Sequence, residues 1–354
     1  MKGLILSGGN GTRLRPLTFT RSKQLVPVAN KPILFYGIET LAAAGIRDIG
    51  LVVGETHDEI EQAVGSGSRW NVSVTYIRQD APLGLAHAVL ISETFIGNEP
   101  FVMYLGDNLL AKGIVPLVEQ FKATKPAAQI LLTRVSDPEQ YGVAETEGDK
   151  VVRLVEKPKN PVSNLALVGV YMFGPQVFES VKRIKPSSRN ELEITDAIQD
   201  LIDRDLVIMS KIVNGWWKDT GRLEDLLEAN RLILDTLDTH IDGTVDDASR
   251  IEGKVIIESG AIVDHSVVRG PVIIGHNAQI RDAYIGPFTA IMSDVEINGS
   301  EIEHSIVMEG SRITGLTDRI TDSLIGSHVK VDRLPTKPAA LRFMLGDRSE
   351  VSIR

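Results

Sequence analysis

The chain has 354 residues, 43% of them apolar, which suits about two domains of roughly 150 residues, each with its own core. Its formal net charge of −9 sets aside a general nucleic-acid-binding role, which a basic surface would serve, but leaves room for a local basic site for a small phosphate ligand. It has no cysteine, which excludes disulfides, thiolate zinc sites and a cysteine nucleophile.

The opening apolar run Leu4–Leu6 is too short for a secretory signal, and no run reaches the roughly 18 apolar residues of a membrane span. A cytoplasmic protein with no membrane partner is therefore expected. Up to about residue 210, β-branched runs predict buried strands at Gly3–Leu6, Ile49–Val53, Val72–Ile77, Phe101–Leu105 and Gln129–Arg134. Amphipathic runs between them predict helices at Ile33–Ala44, Asp58–Ala63, Leu85–Thr94 and Val115–Lys122. This alternation predicts an α/β domain with a mainly parallel sheet and helices on both faces. A strand-rich patch, Tyr141–Phe173, follows, and then helices at Val177–Lys182, Ile194–Asp203 and Arg222–Leu237.

After about residue 240 the texture changes. Ile251, Ile257, Ile262, Val268, Ile274, Ile280, Ile285, Ile291, Ile297, Ile302, Val307 and Ile313 recur every five or six residues among Gly, Asn and small side chains. A period of six fits neither a helix nor a single strand. It fits a parallel β-helix, in which each six-residue side points one aliphatic residue inward. About five coils fit between 250 and 335, and the apolar stretch Leu341–Ile353 is expected to cap the open end. The division expected is 1–240 for the first domain and 241–354 for the β-helix with its tail.

The first loop, within LILSGGNGTRLRPLT (residues 4–18), is rich in glycine and arginine. At the end of a buried strand such a loop lets backbone N–H groups approach phosphate closely. Residues 8–13 read G-G-N-G-T-R, which is neither G-x-G-x-x-G nor a Walker A loop. Taken alone, a tight strand-to-helix turn explains the glycines as well.

The longer run GGNGTRLRPLTFTRSKQLVPVANKP (8–32) carries more information, because Arg13 and Lys23 flank a segment stiffened by Pro16, Pro27 and Pro32. It resembles the nucleoside-triphosphate loop of the sugar-nucleotide pyrophosphorylase family. The resemblance implies a Rossmann-like nucleotidyltransferase domain followed by a left-handed parallel β-helix. It also implies that Leu6, Gly8, Gly9, Gly11 and Thr12 wrap the nucleotide while Arg13 and Lys23 hold its triphosphate.

Further segments match the family in order. QDAPLGLAHAV (79–89) resembles its base-reading segment, with Gln79, Pro82 and Gly84; Gln79 can offer both a donor and an acceptor to a pyrimidine edge. VMYLGDN (102–108) supplies Asp107 and WWKDTG (216–221) supplies Asp219, a carboxylate pair that the resemblance assigns to Mg²⁺. YGVAE (141–145) and VEKP (155–158) resemble the sugar-binding pieces, with Tyr141 and Gly142 on the hexose, Glu156 on its hydroxyls and Lys157 on the sugar phosphate. Val168, Gly169 and Tyr171 continue that wall, and Arg189 adds a second phosphate cation with Glu191 near the sugar.

The resemblance implies that a sugar 1-phosphate attacks the α-phosphorus of a nucleoside triphosphate and releases pyrophosphate, with dTTP and glucose 1-phosphate as the substrates. A uridylyl relative sharing the scaffold is the nearest alternative. A bifunctional acyltransferase using His265, His276, His304 or His328 is a second. A third is a non-catalytic regulatory subunit, against which the full set of Arg13, Lys23, Asp107, Lys157 and Asp219 argues. The β-helix is expected to serve stability or assembly, making the protein a homo-oligomer.

Overall fold

The structure is a computed structural model that describes residues 1–9, 11–333 and 342–353. Contacts divide the chain into two compact units, one of residues 1–10, 21–25 and 33–219, the other of residues 11–20, 26–32 and 220–354.

The first unit is built on a nine-stranded sheet. Across it run Ser73–Arg78, Asp48–Val53, Lys2–Ser7, Phe101–Leu105, Leu165–Phe173, Ala128–Arg134, Ile208–Ile212, Lys150–Glu156 and Gly142–Glu147. The first four are mutually parallel. Leu165–Phe173 is antiparallel to both neighbours, and only Ile208–Ile212 restores a parallel pairing, with Ala128–Arg134. The sheet is therefore mixed, and mainly parallel only in its first half. The reason lies in the strand-rich patch, which has no crossover helix. Gly142–Glu147 returns directly as Lys150–Glu156, and so short a link can join only antiparallel strands.

Alternation within the strands builds two core layers. Leu4 and Leu6 face one side with helices Leu85–Ile91, Val177–Arg183 and Ile194–Asp203, while Ile5 faces the other with helices Ile33–Ala43, His57–Val64 and Val115–Thr124. The helix expected over Leu85–Thr94 breaks at Ser92, whose buried hydroxyl donates to the carbonyl of Ala88 at 2.7 Å and competes with the backbone ladder.

The second unit carries three parallel sheets of six, six and four strands, the parallel β-helix expected from the six-residue period and consistent with the left-handed class. Ile257 pairs with Ile274 and Ile274 with Ile291, giving coils of 17 residues. Nearly all the recurring aliphatics are buried, with one correction to the register. Ile262 is 37% exposed and Val263 fully buried, so Val263 is the inward residue of that side. The five-residue step follows, from Val263 to Val268. His265, Asn277, Asp282, Asp294 and His304 take positive φ, which short polar side chains tolerate best.

In the same unit, buried Asn230 on helix Leu223–Leu234 donates to the carbonyl of Phe288 and accepts from the N–H of Ala29, both at 2.9 Å. Asn30 donates to the carbonyl of Ile291 at 2.6 Å, so residues 26–32 are tied to the β-helix coils by specific hydrogen bonds.

The expected cap is not formed by the described part of the tail. Leu341 lies outside the described residues. From residue 342 to 353 the chain has no regular element, and Phe343, Met344, Leu345, Val351 and Ile353 are exposed, because no strand ladder engages this segment. Among the described residues, no helix is long and apolar enough to cross a membrane.

Candidate active site

The four parallel strands deliver their carboxyl ends to one edge of the sheet. Lys2–Ser7 leads into Gly8, Asp48–Val53 into Gly54, Ser73–Arg78 into Gln79, and Phe101–Leu105 into Gly106 and Asp107. Ligands of open α/β sheets bind at this edge. The glycines are there for close approach: a Cβ on Gly8 would lie 2.8 Å from Gln79 Oε1, and one on Gly54 would lie 2.9 Å from the carbonyl of Gly8. Gly9 has more room, its nearest neighbour being Gln24 Nε2 at 4.0 Å. Leu6 is buried, so only its backbone can face a ligand.

Gln79 Nε2 lies 3.0 Å from His87 Nδ1 and 3.4 Å from the carbonyl of Gly84. His87 escaped the sequence reading because its functional signal is spatial, one helical turn beyond the loop. Gly84, at φ 102°, starts helix Leu85–Ile91, and a side chain there would strike the backbone of Leu192. Pro82 is exposed on the same loop. Gly11, Thr12 and Arg13 belong to the second unit. Gly11, at φ 59°, leads into the turn Thr12–Leu14, its carbonyl accepts from Thr18 Oγ1 at 2.7 Å, and Thr12 and Arg13 are exposed.

Asp107 and Asp219 are brought together although 112 residues apart. The short strand Asn108–Leu110 pairs antiparallel with Trp217–Asp219, placing Asp219 directly opposite Asn108, the residue after Asp107. Lys23, 8% exposed, forms a salt bridge with Asp107 Oδ2, and Asn108 Nδ2 donates to Asp107 Oδ1 at 2.8 Å. Burial alone would raise the Asp107 carboxyl. The Lys23 ammonium and the hydrogen bonds outweigh it and hold the group below the usual carboxylate range.

Tyr141 meets Trp217 edge to face at 5.8 Å between ring centres. Beside the strand end at Glu156 opens a cavity of about 320 Å³, lined by Glu156, Lys157, Arg189, Glu193 and their neighbours. A Cβ on Gly142 would lie 3.3 Å from Glu156 Oε2. Lys157 takes φ 42° immediately after its strand and is exposed. Arg189 is held by carboxylates: Glu193 at 2.8 Å, Glu156 at 3.1 Å and Glu191 at 3.6 Å. Burial and then the charge of Glu193 push the Glu156 carboxyl upward, against Lys157 and Arg189.

Glu193 and Thr195, which donates to Glu156 Oε2 at 3.3 Å, were missed by the sequence reading, although both lie in SRNELEITD (188–196), the run that holds Arg189 and Glu191. Val168 is fully buried, so any part it takes in a sugar wall falls to its backbone. Tyr171 is buried and stacked on Phe173, and burial raises its hydroxyl pKa.

The carboxyl edge of a mixed α/β sheet, with a glycine loop, two aspartates at adjacent positions of facing strands and a buried lysine on one of them, is the arrangement of a nucleotidyltransferase. The nucleotidyl transferase family model matches residues 2–236, and the chain belongs to that family. Members of the family generally use a divalent metal. Among its relatives, the chain is 54% identical to a glucose-1-phosphate thymidylyltransferase of Streptomyces antibioticus, covering all of both chains. It is 52% identical to one of Streptomyces griseus, covering all of this chain and 99% of the relative. A Bacillus anthracis structure assigned as a glucose-1-phosphate thymidylyltransferase, in complex with sucrose, is 40% identical with a TM-score of 0.62, over 66% of this chain and 94% of that one.

Proposed function

We infer that the protein is a glucose-1-phosphate thymidylyltransferase, converting dTTP and glucose 1-phosphate to dTDP-glucose and pyrophosphate. The observation that carries this reading is the full-length likeness to the two Streptomyces enzymes, at 54% and 52% identity. Residues 1–240 are assigned to the nucleotidyltransferase domain and 241–354 to the β-helix with its tail.

The reaction asks little covalent chemistry of the protein. A phosphate oxygen of the sugar 1-phosphate is already ionised near neutral pH and attacks the α-phosphorus in line, so no general base is needed. The task is to align two anions that repel each other and to stabilise charge on the departing pyrophosphate. Lys23 and Arg13 are assigned to the triphosphate, and Lys157 and Arg189 to the sugar phosphate. Arg189 shares its charge with three carboxylates, so its part is weighted toward orienting Glu156.

Gln79, tied to His87, presents its amide to the thymine edge, and Gly8 lets the base approach. Asp107 and Asp219, hard oxygen donors at neighbouring ladder positions, fit Mg²⁺. When bound, the ion supplies charge neutralisation at the triphosphate. Of the β-helix histidines weighed for acyl transfer, His265 and His276 have local partners in Asp264 and Ser259, which favours a single activity. The protein is further proposed to be a cytoplasmic homo-oligomer.

Phosphorus-31 NMR of the protein with dTTP, glucose 1-phosphate and Mg²⁺ tests the reading. Equal growth of a nucleoside-diphosphate-sugar pair and of pyrophosphate is expected. Release of inorganic phosphate in its place would contradict it.

A further inference from the structure

Asn108 has no assigned part in the scheme above, yet it is 2% exposed and makes several specific hydrogen bonds. Its Oδ1 accepts from Trp217 Nε1 at 2.6 Å and from the backbone N–H of Gly169 at 3.2 Å. Its Nδ2 donates to Asp107 Oδ1 at 2.8 Å. Its own carbonyl accepts from the buried Tyr104 hydroxyl at 3.1 Å. Space for the amide is reserved by glycine, since a Cβ on Gly169 would lie 2.5 Å from Asn108 Oδ1.

These bonds meet the site from two sides. Through Nδ2 the amide fixes one oxygen of Asp107. Through Oδ1 it fixes Trp217, whose ring meets Tyr141 and whose strand carries Asp219 two residues on. An amide does both through two separate atoms, with Nδ2 donating toward the carboxylate while Oδ1 accepts from two N–H groups. A carboxylate would repel Asp107, and an apolar side chain would strand buried donors.

We propose that Asn108 is a positioning residue that sets the arrangement of Asp107 and Asp219 for a divalent cation and couples it to the Trp217–Tyr141 wall. The proposal rests on the nucleotidyltransferase reading of the two aspartates.

The test is a titration of Mn²⁺ into the full-length protein with and without dTTP, followed by EPR of the free ion, beside the Mg²⁺ dependence of turnover. Asn108→Ala should raise both half-saturating metal concentrations about tenfold, with a smaller change in the dTTP KM. Trp217→Phe removes one donor to Oδ1 while keeping an aromatic ring, and should shift metal affinity the same way by about threefold. It serves as the readable variant if Asn108→Ala does not fold. The double variant should bind Mn²⁺ no more weakly than Asn108→Ala, since the coupling runs through one amide.

Unchanged metal affinity in Trp217→Phe, or losses that multiply in the double variant, would overturn the proposal. A purely structural role would lower the melting temperature and leave the metal affinity of the folded fraction unmoved. Wild-type protein that binds Mn²⁺ but turns over no sugar 1-phosphate would instead defeat the activity reading and leave this test standing.

Discussion

Lys23 and Asp107, 84 residues apart, form a salt bridge at the carboxyl edge of the parallel strands, with the lysine almost wholly buried. The cation assigned to the triphosphate and a carboxylate assigned to the metal thus neutralise each other in the free protein. Lys23→Met removes one charge partner of the departing pyrophosphate, and kcat/KM for dTTP should fall on the order of 10²- to 10³-fold. Steady-state kinetics at saturating Mg²⁺ measure it.

The same variant has a signed pH signature. In the wild type the Asp107 carboxyl lies below its ordinary range, so its contribution to stability is present above the unfolded value of about 3.9 and is lost only as pH falls through the depressed folded value. Without the Lys23 ammonium, burial, already the largest single influence, is opposed only by the remaining hydrogen bonds from Asn108 and the backbone, and the group moves up. A folded-state carboxyl raised above its unfolded value takes up a proton on folding, so the stability of Lys23→Met should rise, relative to wild type, from about pH 7 to about pH 5. Urea midpoints at the two pH values show it. Parallel behaviour of the two proteins would contradict it.

Asp107→Asn should keep the far-UV circular dichroism of the wild type and lose turnover by at least about 10³-fold, since it removes a metal-binding charge without changing shape. Wild-type turnover in this variant would remove Asp107 from the metal site.

Gly8→Ala separates binding from folding. Its Cβ meets the far end of the Gln79 side chain, not backbone, so the fold can absorb it by moving Gln79. The KM for dTTP should rise about tenfold while stability changes by less than about 1 kcal/mol. A large stability loss with unchanged KM would show that Gly8 serves only the turn.

The strand ends and the glycine loop were legible because buried β-branched runs and glycine punctuation are local signals. The tie of Gln79 to His87, the carboxylates around Arg189 and the bonding of Asn108 were not, because each joins residues through the fold. In the β-helix the period was visible, but one side was misassigned at Ile262. An aliphatic pair such as Ile262-Val263 leaves the inward residue ambiguous until its neighbours are placed, and a one-residue slip reverses every side chain.

That register correction is testable. Ile280→Ala empties a fully buried position and should cost about 2–5 kcal/mol of the second unit's stability. Ile262→Ala acts on a partly exposed side chain and should cost less than about 1 kcal/mol. Calorimetric scans of the two variants should separate them clearly, and equal losses would restore Ile262 to the interior.

The most direct test of the account is the rate of pyrophosphate release with glucose 1-phosphate, Mg²⁺ and each of dTTP, UTP, ATP, CTP and GTP in turn. The highest kcat/KM is expected with dTTP, with a loss of that preference in Gln79→Ala. A clear preference for another triphosphate, or no pyrophosphate from any of the five while nucleotide still binds, would contradict it.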